Sequence, residues 1–248
     1  MNDIVTWLRQ RATTARARGF VVGLSGGLDS AVVARLCQLA IPGHVAGVIM
    51  PCRSDPNDEV DAALVADAFG LTTLHVDLNA AYEALLDSAS AALAGLPSEM
   101  RTTTGEAAER IANGNIRARL RMATLYYVAN SLEYLVVGTG NRSELTIGYF
   151  TKHGDGGVDL LPIGHLLKNQ VRNVARELGV PQAIIDKAPA AGFWPGQTDE
   201  GEMGFSYADL ERYMTNGPEG VSPALALRLE RVIRSTEHKR TLPPTPES

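Results

Sequence analysis

The chain has 248 residues, 45% of them hydrophobic and 21% charged, with a formal net charge of −5. That composition is ordinary for a globular protein, and the length suits one large domain that buries roughly 70% of its unfolded surface without staples. The acidic balance argues against a nucleic-acid partner, which selects a basic face. With no signal-peptide pattern and no apolar run of about 18 residues, the chain is expected to be cytoplasmic, without a membrane span.

Residues 1–18 read as an amphipathic helix, with Ile4, Val5 and Leu8 inward and Arg9, Arg11, Arg16 and Arg18 toward water. A short β-rich run at 20–24 ends in Ser25-Gly26-Gly27. Then come a helix over 28–40 stopped by Pro42 and Gly43, a strand over 44–50, a helix over 57–69 and a strand over 72–78. Buried strands alternating with helices specify an α/β fold, a parallel sheet with helices on both faces. Residues 79–94 are helical; beyond Pro97 and the cluster Thr102 to Thr104 a long helical pattern covers 106–131, interrupted by Gly114. The fourth strand is 134–137, with Gly138-Thr139-Gly140-Asn141 as its turn. A polar loop over 151–157 is expected to be mobile, and a helix follows over 168–179. A loop rich in proline and glycine spans 188–204, short helices lie near 207–214 and 224–236, and residues 241–248 are expected to form a disordered tail. No repeat or linker divides the chain, so residues 1–248 are taken as one domain. Cys37 and Cys52 make no Cys-x-x-Cys and are expected as free thiols.

The sharpest local signal is Gly23-Leu24-Ser25-Gly26-Gly27-Leu28-Asp29-Ser30, set between a predicted strand and helix. Small residues let backbone N–H groups approach an anion, the helix N-terminus adds a positive dipole end, and the Ser25 and Ser30 hydroxyls can donate to phosphate oxygens. The Gly-Lys-Ser/Thr ending of a Walker loop is missing. Asp29 stands in place of that lysine, and an aspartate beside phosphates needs a cation between them, which suggests Mg²⁺. The plainer alternative is that Asp29 and Ser30 only cap the helix.

Ser-Gly-Gly-x-Asp-Ser resembles the signature of the pyrophosphate-loop ATP pyrophosphatases, which cleave ATP between the α and β phosphates. Among them, later blocks resemble the NAD synthetases. These are Asn115 to Met122, Gly138 to Glu144, Gly148-Tyr149-Phe150-Thr151-Lys152-His153-Gly154-Asp155-Gly156-Gly157-Val158-Asp159, Leu161-Pro162-Ile163, Trp194-Pro195-Gly196-Gln197-Thr198-Asp199-Glu200 and Thr236 to Arg240. The resemblance implies that Gly23, Leu24, Ser25, Gly26, Gly27, Leu28, Asp29, Ser30, Thr139 and Lys168 bind ATP, and that Asp29 and Glu144 hold Mg²⁺. It also implies that Arg119, Lys152, Asp159, His238 and Lys239 contact deamido-NAD. Asp29, Glu144 and Lys168 would then be the catalytic set. Taken alone, Glu144 reads as a helix-start residue, Lys168 as a surface lysine and Arg119 as part of a solvated face. One departure is Ala190, where the family commonly has a hydroxyl that contacts ATP.

The resemblance implies ATP-dependent amidation of deamido-NAD through an adenylate, with AMP and pyrophosphate released. Ammonia is the expected donor, because the chain has no room for the glutaminase domain of glutamine-dependent relatives. A homodimer is implied, with the helix around residues 115–130 at the interface. The rival readings are another adenylating enzyme on the same loop, including a tRNA modifier, and a nucleotide-binding protein without catalysis.

Overall fold

The structure, a computed structural model, describes residues 1–100, 105–190 and 198–246. The threonine cluster at 102–104, the stretch Trp194 to Gln197 and the last two residues lie outside the described residues.

The chain opens with helix α1 (Asn2–Ala15), which buries Ile4, Val5, Leu8 and Ala12. Strand β1 (Gly19–Gly23) leads into α2 (Leu28–Ala40), then β2 (Val45–Ile49), α3 (Pro56–Phe69) and β3 (Thr72–His75). Helices α4 (Asn79–Ala94) and α5 (Glu106–Leu132) come before β4 (Tyr134–Val137). After β4 come α6 (Arg142–Ile147), α7 (Lys168–Glu177), α8 (Gln182–Asp186), α9 (Asp199–Met203), α10 (Tyr207–Asn216) and α11 (Pro223–Ser235).

The strands form a four-stranded parallel sheet in the order β3-β2-β1-β4. Residue alternation along a strand explains the layering. In β1, Phe20 and Val22 join one core with Leu8, Leu36 and Val171, and Val21 joins a second core with Val48, Val136 and Ala129. Helices α1, α2 and α7 therefore cover one face, and α4 and α5 the other. The chain steps from β1 to β2 to β3 and then returns to the far side of β1 as β4. Strand order thus reverses between β1 and β4, and in open parallel sheets the crevice at the C-terminal ends of such strands is where ligands bind.

Several details differ from the expectations above. Arg9 is not simply solvated: its Nε donates to the Ala40 carbonyl at 2.8 Å and its Nη2 to that of Leu39 at 2.7 Å. These are among the last carbonyls of α2, which lack partners within the helix. Arg9→Ala should cost about 1 kcal/mol, read as a lower urea midpoint with unchanged slope. Helix α5 runs through Gly114, which is buried; glycine's intrinsic cost of about 1 kcal/mol is outweighed by packing along the sheet. The ladder of β3 stops at His75 rather than residue 78. Residues 151–157 form packed turns, with the Thr151 N–H on the Asp155 carboxylate at 2.8 Å and its hydroxyl on Asn115 at 2.8 Å. Helix α9 falls inside the expected loop 188–204, and α6 and α8 form where the sequence assigns no element beyond Glu144 as a helix-start residue; all three are too short to show a helical period. Residues 241–246 are exposed and carry neither helix nor strand.

Candidate active site

The β1–α2 loop and the β4–α6 turn meet at the β1/β4 crevice. In the first, Gly26 has φ +73°, and a Cβ there would lie 2.5 Å from the Asp58 carbonyl oxygen and 2.8 Å from the Asp61 Cβ. Only glycine allows this backbone to press on α3. The Ser25 and Ser30 hydroxyls lie 3.1 Å apart, Ser30 Oγ donates to the Gly27 carbonyl at 2.9 Å, and the Gly27 N–H donates to Ser25 Oγ at 3.3 Å. The N-cap of α2 is Gly27, and no side chain caps it, so the capping alternative for Asp29 and Ser30 fails.

Asp29 instead turns into the crevice. Its Oδ2 pairs with the Lys168 ammonium, and Asn141 Nδ2 donates to its Oδ1 at 3.5 Å. Glu144 does two things at once. One oxygen accepts the Asn141 N–H at 3.1 Å, closing a capping box on α6, and the other faces Lys168 Nζ at 3.4 Å. Lys168 is no surface residue: it is 4% exposed at the start of α7. Its backbone N–H donates to Ser143 Oγ at 3.2 Å. Burial by itself would lower this ammonium, but the charges of Asp29 and then Glu144 outweigh it and hold the group above its ordinary value. The Glu144 carboxyl is raised, first by burial and also by Asp29, with Lys168 opposing.

Residues given no role from sequence complete this group. Tyr207, at the start of α10, places its hydroxyl 2.8 Å from Asp199 and 3.4 Å from Glu144, with its ring 5.3 Å from Lys168 Nζ. The Tyr149 hydroxyl lies 3.3 Å from Asp199 and 2.8 Å from Glu202, the shorter contact taking its one proton. Burial raises the Asp199 carboxyl, while the Tyr207 hydrogen bond and Lys168 oppose the rise. No local motif marks Tyr207; Asp199 sits inside a recognised block but carries no chemical signal of its own. Thr139 lies half-buried in the β4–α6 turn, and Ala190 is exposed just beyond α8.

The expected dinucleotide residues form a second group, Asp159 excepted. The Arg119 Nη2 donates to the Lys152 carbonyl at 3.3 Å, the Lys152 ammonium donates to the His238 carbonyl, and Lys239 Nζ donates to the Gly148 and Phe150 carbonyls at 2.7 Å each. Asp159 stands apart against β4, accepting the Val136 N–H at 2.8 Å and the Tyr126 hydroxyl at 3.0 Å. Helix α6 links the two groups. Its first turn carries Glu144, and the residue after its end, Gly148, takes Lys239. From Glu144 to Gly148 the helix rises roughly 6 Å at ~1.5 Å per residue. Cys37 and Cys52 are both buried and unpaired. No helix among the described residues is long and apolar enough to cross a membrane.

A glycine-bent loop at the switch point, two carboxylates from separate elements and a buried lysine between them make up the candidate site of a parallel α/β protein. The family model for NAD synthase matches residues 1–243, and the chain belongs to that family. It is 51% identical over 243 residues to the NH(3)-dependent NAD(+) synthetase of Carboxydothermus hydrogenoformans, covering 98% of this chain and 95% of that protein. Among solved structures, the NMN synthetase of Francisella tularensis superposes with a TM-score of 0.88 at 36% identity, covering 100% of this chain and 97% of that one. The NH3-dependent NAD synthetase of Campylobacter jejuni superposes with a TM-score of 0.78 at 26% identity, covering 99% and 96%.

Proposed function

We propose that the chain is a ligase that uses ATP and free ammonia to convert deamido-NAD to NAD, through an adenylate, with release of AMP and pyrophosphate. The observation that carries the site assignment is the convergence of Asp29, Glu144 and Lys168 beside the Gly23–Ser30 cradle. Ammonia as donor is supported by relatives of matching length named NH(3)-dependent.

A carboxylate is a poor electrophile, and adenylation gives it a good leaving group. The cradle's N–H groups and the Ser25 and Ser30 hydroxyls hold the β,γ-phosphates. Lys168 supplies positive charge against the pyrophosphate that leaves. Asp29 and Glu144 fit Mg²⁺: they are hard oxygen donors from different elements and already share one cation, Lys168. Bound there with ATP, Mg²⁺ would neutralise phosphate charge. Arg119, Lys152, His238, Lys239 and Asp159 are assigned to the dinucleotide, and Thr139 to ATP. The protein's contribution is placement and fixed charge rather than covalent chemistry. Asp29→Ala should lower turnover at least ~10²-fold with the fold retained, measured as pyrophosphate release beside a circular-dichroism melt; wild-type turnover would sink the metal assignment.

The active unit is proposed as one domain that pairs into a cytoplasmic homodimer. Support for pairing comes from α4 and α5, where Leu85, Leu93, Ile111, Tyr127 and Leu132 are exposed; sedimentation at monomer mass would remove it. Free, buried Cys37 and Cys52 fit a reducing compartment.

The test mixes the chain with ATP, Mg²⁺, deamido-NAD and an ammonium salt. NAD and pyrophosphate in equal amounts are expected, and glutamine in place of ammonium should give little. A second reading concerns substrate length. The Francisella tularensis protein, named as an NMN synthetase, superposes with a TM-score of 0.88, so nicotinate mononucleotide belongs in a parallel tube. A higher kcat/KM there than for deamido-NAD would move the assignment to the mononucleotide.

A further inference from the structure

The Asp199 carboxylate and the Tyr207 hydroxyl have no part in the steps above, yet both are sealed against the reacting groups, 5% and 4% exposed. A buried carboxylate is costly unless it is hydrogen-bonded, and Asp199 accepts the Tyr207 hydroxyl on Oδ2 at 2.8 Å, while the Tyr149 hydroxyl, 3.3 Å from Oδ1, makes its shorter contact with Glu202 at 2.8 Å. The Tyr207 hydroxyl has one proton, and the shorter contact assigns it to Asp199. Its oxygen nevertheless stands 3.4 Å from Glu144 Oε1, the same oxygen that faces Lys168. The Tyr207 ring lies 5.3 Å from the Lys168 ammonium, a cation–π contact strengthened by the exclusion of water. The Asp199 N–H also donates to the Pro189 carbonyl at 3.0 Å, which fixes Asp199 to the chain just beyond α8.

As it stands, Lys168 is shared by Asp29 and Glu144. Were those two carboxylates to hold a cation beside the nucleotide, Lys168 would lose both counter-charges. What remains fixed around it is the Tyr207 ring and the charge of Asp199. We infer that Tyr207 and Asp199 form a positioning pair that keeps the Lys168 ammonium and the Glu144 carboxylate in place for adenylation. Neither residue needs to touch substrate. Losing the pair lets Lys168 drift from the growing charge on the leaving group, and misplacement of about 1 Å costs on the order of 10²-fold. The effect therefore falls on kcat and spares both substrate KM values. The inference rests on the assignment of Lys168 and Glu144 to the ATP site.

Tyr207→Phe keeps the ring and removes only the hydroxyl; Asp199→Asn keeps the shape and removes the charge. Full steady-state kinetics on each single variant, the double variant and Lys168→Met test the pair. Each single variant should lower kcat about tenfold or more with both KM values within about twofold. The double variant should be no worse than the worse single, because the two act as a unit. Wild-type kcat in Tyr207→Phe overturns the pair, and so do additive losses or a KM for ATP that rises as kcat falls. If Tyr207→Phe does not fold, Asp199→Asn reads the same split. An active Lys168→Met enzyme would mean that the underlying site assignment is wrong; an inactive one beside a wild-type Tyr207→Phe confines the failure to the pair.

Discussion

Lys168→Met is expected to lose both catalysis and stability. Turnover should fall ~10²- to 10³-fold, the usual loss when a single preorganised charge at the leaving group is removed. The stability loss has a separate cause. Lys168 is 4% exposed and is the cation between Asp29 and Glu144, whose side chains are each 16% exposed. Methionine fills the volume but leaves two carboxylates facing each other in a poorly hydrated crevice. Removing one member of a buried ionic group costs about 3 kcal/mol. Urea unfolding reads that loss and pyrophosphate release reads the catalytic one. Wild-type values in both would show that the pairing with Asp29 and Glu144 matters to neither.

Gly26→Ala is expected to be the most damaging single-methyl change in the loop. The residue sits at φ +73°, a conformation that costs an L-residue energy by itself, and its Cβ would meet the Asp58 carbonyl oxygen at 2.5 Å. The Asp58 oxygen is backbone near the start of α3 and has little room to give. Either the loop or the helix must shift, and strain of this kind costs about 1–3 kcal/mol. The cradle is the softer of the two, so its N–H groups should lose their alignment on phosphate. Calorimetry with ATP should show weakened or absent binding in a folded protein; unchanged affinity would mean that the loop does not hold phosphate in this backbone form. Gly43 is also at positive φ, but a methyl added there would meet nothing within 4 Å. Gly43→Ala is therefore the control that carries the torsional cost without the clash.

The strands and long helices are legible in the sequence because their signals are local and repeated. β1 ends in small residues, α2 begins at Leu28 and ends at Ala40 as its apolar pattern and stop signals require, and β4 is bounded as expected. Helices α8 and α9 are not legible, and α6 shows only in Glu144 as a helix-start residue, since a helix of five or six residues completes too little of the period to show against turn residues. Arg9 reads as solvated because the carbonyls it binds lie 30 and 31 positions away.

By itself the sequence determined the parallel α/β class, through alternating apolar runs and helical periods, and singled out Gly23 to Ser30, eight contiguous residues, as the loop proposed to hold phosphate. It could also name Asp29, Glu144 and Lys168 by resemblance, but local pattern assigned Lys168 the physics of a surface lysine. Only the tertiary structure decided that Lys168 is buried between two carboxylates 139 and 24 positions away. The same holds for Tyr207 and Asp199, which join this group through contacts among α6, α7, α9 and α10. The reason is that pattern in a chain reports which groups face inward. Which inward groups share a charge is set by where the sheet order reverses, and that reversal between β1 and β4 exists only once the strands have paired.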